Sequence, residues 1–436
     1  MTSASEPAAR APLSFGRELV TPVTGTERIG VLDVLRGIAL LGMFLVHFND
    51  NAAHVEAASG LTTIYQRTVS LFFEERFWTM FAILFGVGFA VQLRRAEARG
   101  RSFESFYLRR LAGLAAIGFI AHAVFGFNVL LGYAVWGLPL LAFRNWSMKA
   151  LVLALVLSSV SGCIFMIART GYRLAVVGES GYRSERAALM TFNQTFLKEN
   201  RAAQDAPGYP TVLQARLRHM RWFYVQPFSF LPVNTLTFFL IGVIGFRLGF
   251  FEKPAAHRRG IVAISIFGVV SWLAALWLFQ DGGFDSTNVR DLTLAYVRAG
   301  FGLVRHAWLA FAYIGLVLLL VSYNPAWVRR VGALAWTGRM ALTIYMVQIA
   351  TLDLLFSNYA LHVTLTPLQA LGTGLVFFAL SAAFSRWWLA RFRFGPFEWL
   401  WRSITSGQTK KTRSSMKWTW LAVRFLLRFR ATRVWV

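Results

Sequence analysis

Apolar runs close to twenty residues long recur along most of this chain, and they constrain its fold more than any other feature. A helix rises 1.5 Å per residue, so about twenty apolar residues cross the ~30 Å hydrocarbon core of a bilayer. Ten such runs are predicted, near 30–50, 70–93, 109–126, 128–143, 149–169, 228–250, 260–280, 296–322, 334–356 and 367–390. Only 15% of the 436 residues are charged, against about a quarter in a soluble domain, while 56% are hydrophobic. The expected fold class is an all-α polytopic membrane protein: a bundle of about ten transmembrane helices with an extracytoplasmic amphipathic helical loop.

The net charge is +25. In a soluble protein that excess would point to nucleic acid, but no DNA-binding signature accompanies it. In a membrane protein, basic residues collect in cytoplasmic loops. The segment "RRAEARGRSFESFYLRR" (94–110), the link with Arg144 and Lys149, "RLGFFEKPAAHRR" (247–259) and Arg329–Arg330 alternate with links poorer in Lys and Arg, such as 281–292 and 357–366. The alternation predicts a multi-pass protein of the cytoplasmic (inner) membrane with both termini cytoplasmic. No apolar segment with a cleavage site precedes the first run, so no cleaved signal is expected. Residues 1–29 read as a disordered cytoplasmic tail, 30–405 as the transmembrane domain, and 406–436 as a basic amphipathic cytoplasmic tail suited to anionic lipids.

The longest link, 170–227, falls on the outer side. Its apolar spacing predicts helices over 184–200 and 211–224 that lie on the surface or cap a cavity; a plain surface linker is the blander alternative. The one cysteine, Cys163, sits in an apolar run, which excludes an intramolecular disulfide and a multi-cysteine metal site. No metal is expected.

The first run, "VLDVLRGIALLGMFLVHFND" (31–50), carries three groups that are costly in lipid. Asp33 and Arg36 are three residues apart, share a helix face and can pair; a guanidinium there also suits a phosphate or carboxylate. His47 lies eleven residues beyond Arg36, about 16 Å along a helix and near or past the membrane midplane. An imidazole at that depth is either a buried hydrogen-bonded ring or a general base. Thr343, Tyr345, Gln348 and Asp353 place further polar groups in the ninth run, and His122 and Asn128 flank the turn between the third and fourth.

"LDVLRGIALLGMFLVHF" resembles the opening of the YeiB-like bacterial membrane proteins, the domain of unknown function 418 family. "FWTMFAILFGVGFAVQL", "FYLRRLAGLAAIGFIAHA", "GYAVWGLPLLAF", "WTGRMALTIYMVQ" and "FGPFEWLWRSIT" extend the likeness through residues 30–405 in order. That fold resembles the wider transmembrane acyltransferase superfamily, in which an Arg-x10-His motif on the first span serves acyl transfer. Arg36 and His47 have this spacing. The resemblance implies acyl-CoA as co-substrate, bound by Arg36, Arg109 and Arg110, with His47 as the catalytic base and Asp33 orienting Arg36. The acceptor would be a small molecule or a glycan bearing a hydroxyl or amine. Asn is more typical of the YeiB-like pattern at position 47, and Asp at position 128, so His47 brings this chain nearer the acyltransferases. The other classes are a transporter of a small anion or lipid-linked solute, with the same residues lining a path, and a non-catalytic membrane protein.

Overall fold

The computed structural model describes residues 30–52, 60–100, 102–225, 234–278 and 308–406. Both tails, the link 281–292 and the start of the eighth predicted run lie outside them. The described residues form helices and no strand. In chain order they are α1 (Gly30–Asp50), α2 (Gly60–Thr68), which continues into a π turn (Val69–Phe73), α3 (Arg76–Glu97), α4 (Glu104–Phe125), α5 (Leu130–Gly137), α6 (Met148–Gln204) and α7 (Tyr209–Val225). There follow α8 (Asn234–Arg247), α9 (Arg258–Leu278), α10 (Trp308–Tyr323), α11 (Trp327–Arg330), α12 (Gly332–Arg339), α13 (Ala341–Phe356), α14 (Pro367–Leu389) and α15 (Pro396–Ser406). Local chemistry starts some of them. Ser147 Oγ accepts the Ala150 N–H at the head of α6. Thr366 and Gln369 form a reciprocal capping box at the head of α14, with Pro367 in the first turn.

Among the described residues, six helices are long and apolar enough to cross a membrane: Gly30–Asp50, Gly60–Glu97, Glu104–Phe125, Met148–Gln204, Pro254–Trp277 and Pro367–Leu389. A seventh is the pair α12 and α13, bent by 83° at the break. The other three predicted spans coincide with shorter apolar helices, Leu130–Leu141, Thr235–Arg247 and Trp308–Tyr323. Leu130–Leu141 rises about 18 Å, short of the ~30 Å core. Continuous hydropathy in the sequence merged this helix with the turns beside it.

The outward faces are those of a membrane protein. Leu153, Val156, Leu157 and Ile164 on α6, Ile266, Val270 and Trp277 on α9, and Val376 and Leu380 on α14 are all exposed. Water would penalise so much contiguous apolar surface; hydrocarbon does not. The interior is built around α1, whose Val34, Leu35, Ala39, Leu40, Phe44 and Phe48 are fully buried.

Two helix crossings bring backbone against backbone. A Cβ added at Gly37 of α1 would lie 2.0 Å from the carbonyl oxygen of Leu334 in α12, and one at Gly338 of α12 would lie 1.8 Å from that of Asp33 in α1. The same reciprocal arrangement joins α3 to α8 through Gly86 and Gly242. Apolar burial gives little drive for helix association inside lipid, so close approach through small residues and dispersion must hold the bundle.

The links that the charge pattern placed on one side touch each other. Arg247 donates to the carbonyls of Arg144 and Trp146, each at 2.6 Å, and Arg94 pairs with Glu252. The helix α6 folds back at Gly178, where φ is 71°. Thr170 and Tyr182 then meet at 3.4 Å and Arg173 pairs with Glu185, although twelve residues of straight helix would separate each pair by about 18 Å.

Gly338→Ala should lose about 1–3 kcal/mol of stability through overpacking. Gly88→Ala, whose nearest neighbour would be 3.9 Å away, should match or exceed the parent. Melting temperatures of the purified proteins check this, and a Gly338→Ala protein as stable as the parent would overturn the close-crossing account.

Candidate functional site

Polar groups gather at the two ends of α1. At its N-terminal end Arg36 Nη1 donates to Asp33 Oδ1 at 3.1 Å; Asp33 is buried and Arg36 partly exposed. From α4, the Arg110 guanidinium stacks 3.8 Å above the Trp401 ring of α15, and the Trp401 indole N–H donates to the Arg110 carbonyl at 2.7 Å. Arg110 is within electrostatic range of both Arg36 and Arg402. Arg402, on α15, stacks on Phe394 at 4.1 Å. Guanidinium groups from α1 and α15 thus lie within electrostatic range of Arg110 of α4, which itself stacks on an indole. Guanidinium forks match phosphate and carboxylate. Arg109 is on the exposed side of α4, apart from this convergence. Arg402 was not expected here. It lies in "FEWLWR", four residues after Glu398, a spacing that by itself suggests only a local pair.

Glu398 turns the other way. The break before α13 leaves the first N–H groups of that helix without helical partners, and its cap residue Met340 offers no side-chain acceptor. Glu398 Oε1 accepts the N–H groups of Leu342 at 2.7 Å and Thr343 at 3.1 Å, and Oε2 accepts the Thr343 hydroxyl at 2.5 Å. In return Thr343 Oγ1 accepts the Phe397 N–H in the first turn of α15. Each helix start caps the other. Gly395 leaves the room: a Cβ there would lie 2.2 Å from Glu398 Oε2. Burial pushes the Glu398 carboxyl above its ordinary range, against the opposing pull of the hydrogen bonds from Thr343 and Leu342.

At the C-terminal end of α1, His47 Nδ1 lies 3.2 Å from the side-chain amide of Gln348 on α13. Gln348 is fully buried, and the other end of its amide finds no partner among the described residues. The contact holds the imidazole plane with either ring nitrogen protonated. Oε1 and Nε2 of the glutamine are interchangeable by rotation, so either tautomer of His47 can be matched. One turn earlier, the Tyr345 hydroxyl accepts the Val129 N–H at 3.4 Å. Asn128 is structural: its amide donates to the Gly118 carbonyl at 3.0 Å and its oxygen accepts the Leu130 N–H at 3.1 Å, which fixes the turn from α4 to α5. His122 is buried near His219, with ring centroids 6.2 Å apart, and its Nδ1 has no partner among the described residues.

Past Gln348, Asp353 is buried and paired with Arg216 of α7 through both guanidinium nitrogens. It also accepts hydroxyl hydrogens from Ser357, at 2.7 Å, and from Tyr359. Arg216 in turn donates to the Val124 carbonyl at the end of α4. The link predicted over 170–227, which the structure forms from the second arm of α6 and α7, is therefore no plain surface linker. Its second helix is docked into the bundle by a buried ion pair, whose partners lie 137 residues apart in sequence.

Taken together, the structure joins Asp33 to Arg36, places Arg110 near Arg36, and leaves His47 about 16 Å from Arg36 along α1. Two grooves lie elsewhere, one between the arms of α6 and one between α12 and α14, and neither is lined by Arg36 or His47. Among the described residues no cluster of three or more His, Cys, Asp or Glu could hold a metal.

Residues 245–408, which include Glu398 and Arg402, match the family described as "Protein of unknown function (DUF418)". The chain is 26% identical over 413 residues to the uncharacterized protein YeiB of Escherichia coli, covering 87% of this chain and 96% of that one. The chain resembles YeiB over nearly its whole length. The YxaH protein of Bacillus subtilis is 26% identical over 88% of this chain and 96% of its own length. A 39.9 kDa protein encoded in the amylase 3′ region of Bacillus acidopullulyticus is 27% identical over 88% and 95%. Residues 28–178 match the catalytic region of heparan-alpha-glucosaminide N-acetyltransferase. This region holds Asp33, Arg36, His47, Arg109 and Arg110 of the YeiB-like chain, so the two family matches divide the two sides of the arginine convergence between them. No solved structure matches the chain.

Removing one partner of the Arg216–Asp353 pair should cost about 3–5 kcal/mol, while Arg216→Met with Asp353→Leu together should recover most of it. Thermal melts of both single variants and the double variant check this; additive losses would show that the two residues do not act as a pair. Glu398→Ala, which leaves the Leu342 and Thr343 amides unsatisfied, should cost several kcal/mol, and Glu398→Gln, which keeps an acceptor, distinctly less.

Proposed function

We propose that this chain is a membrane acyltransferase that uses acyl-CoA as donor and a hydroxyl or amine as acceptor. The observation that carries the reading is the polarity of α1. A convergence of guanidinium groups stands at one end and an oriented imidazole at the other, within the residues that match an acetyltransferase catalytic region. The two lie about 16 Å apart. A donor that meets both must be extended, with an anionic head and a reactive carbonyl remote from it. Acyl-CoA has that shape.

In this reading Arg36, Arg110 and Arg402 hold the phosphates, Arg109 attracts the donor from the exposed side, and Asp33 keeps Arg36 in place. Gln348 turns Oε1 toward the His47 Nδ1–H, which leaves Nε2 as the base. Nε2 takes the proton of the acceptor hydroxyl or amine, the freed oxygen or nitrogen attacks the thioester carbonyl carbon, and the C–S bond breaks. The CoA thiolate then takes the proton from His47. In this reading the arginine end faces the cytoplasmic side of the inner membrane, which the charge of the basic links supports, and the acceptor enters from the opposite face.

One observation favours transport of a small anion instead. The 83° break between α12 and α13 is the kind of interruption that transporters use at substrate sites. Here the N-terminus of α13 is already filled by Glu398 rather than open to a ligand.

Purified protein incubated with labelled acyl-CoA and a panel of amines and glycans should transfer the label. His47→Ala should lower transfer about 10²–10⁴-fold with the melting temperature preserved, and Arg110→Gln should raise KM for the donor more than it lowers kcat. Full transfer by His47→Ala would end the mechanism. Accumulation of an unmodified anion in proteoliposomes without acyl transfer would favour the transporter.

A further inference from the structure

A groove of about 670 Å³ runs between α12 and α14, away from the residues assigned to acyl transfer. Its floor is Phe378, and its walls are small: Ala333 on α12, and Ala379, Ala382 and Ala383 on α14. Small residues on a membrane-facing surface usually admit a second helix. A helix does not fit this one well, because the groove ends at a guanidinium. Arg386 is exposed at the mouth, with its guanidinium 5.1 Å from the Trp336 ring. Among the described residues no carboxylate pairs with it. A covering helix would have to bury that charge or supply a counter-charge.

The dimensions fit a lipid. From Phe378 on α14 to Ala390 just past its end, the groove follows about 18 Å of helical rise, which is close to the depth of one leaflet of a ~30 Å core. The polar end has the composition of a headgroup layer. Trp336 and Trp387 flank Arg386, and Arg391 stacks on Trp387 at 4.7 Å. We propose that the groove is a binding site for one anionic phospholipid, with an acyl chain along the alanines and the phosphate on Arg386. This stands independently of the acyl-transfer reading, since neither Arg36 nor His47 lines the groove.

The test uses the full-length protein in micelles doped with phosphatidylglycerol or phosphatidylcholine, reading retained lipid by native mass spectrometry. The parent should retain phosphatidylglycerol about fivefold over phosphatidylcholine, the contribution of one cation at a membrane surface. Arg386→Gln should abolish that preference, and Arg386→Lys should keep most of it. Ala383→Leu, which fills the trough, should lower retention of both lipids. Arg393→Gln, an exposed arginine outside the groove, should behave as the parent. Equal retention of the two lipids by the parent, or an unchanged preference in Arg386→Gln, would overturn the proposal.

Discussion

A helix that breaks inside an apolar bundle leaves backbone donors that hydrocarbon cannot satisfy, and much of this structure answers the break at Met340. Each unpaired amide in such surroundings costs several kcal/mol. The donors at the start of α13 go to one carboxylate, Glu398, carried by a helix that begins more than fifty residues later. Because Thr343 repays the start of α15, the two helix ends fix each other, and α15 is held against the bundle. That placement brings Trp401 and Arg402 beside Arg110. The arginine convergence thus depends on a capping interaction between two other side chains.

The same helix carries the remaining polar contacts. Along α13, Tyr345 meets the turn after α4, Gln348 meets His47, and Asp353 meets Arg216. Each pairs a buried polar group with one from a distant segment, as a low dielectric requires. The short preceding helix α12 lies against α1 at the distance of two glycines, which fixes how far α1 can slide or turn. His47 and Arg36 are therefore set on one rigid element, with their separation determined by helix rise.

Much of this was readable from composition and spacing. The helical membrane character, the positions of the apolar segments, the Asp33–Arg36 pair and the depth of His47 relative to Arg36 all follow from residue type and helical period. The grouping of the basic links 94–110, 144–149 and 247–259 also followed from charge, and these links do touch. The length of the fourth predicted span did not follow. Hydropathy averages over a window, and it reads Leu130–Leu141 with its neighbouring turns as a longer run. The fold-back at Gly178 falls between the predicted span 149–169 and the predicted helix 184–200, but which residue turns was not legible, because Gly171, Gly178 and Gly181 carry the same local signal.

The sequence by itself determined an all-helical chain for a lipid environment, with ionisable groups set along its first helix at intervals that only a helix gives meaning to. Local periodicity and the cost of charge in hydrocarbon are enough for that. Tertiary structure alone decided which partner each buried polar group has: Gln348 for His47, Arg216 for Asp353, Thr343 for Glu398, and Arg402 as the third guanidinium. The reason is physical. A buried donor or acceptor must be satisfied, but any polar residue of the right depth on any neighbouring helix can do it, so the choice rests with packing across dozens to hundreds of residues.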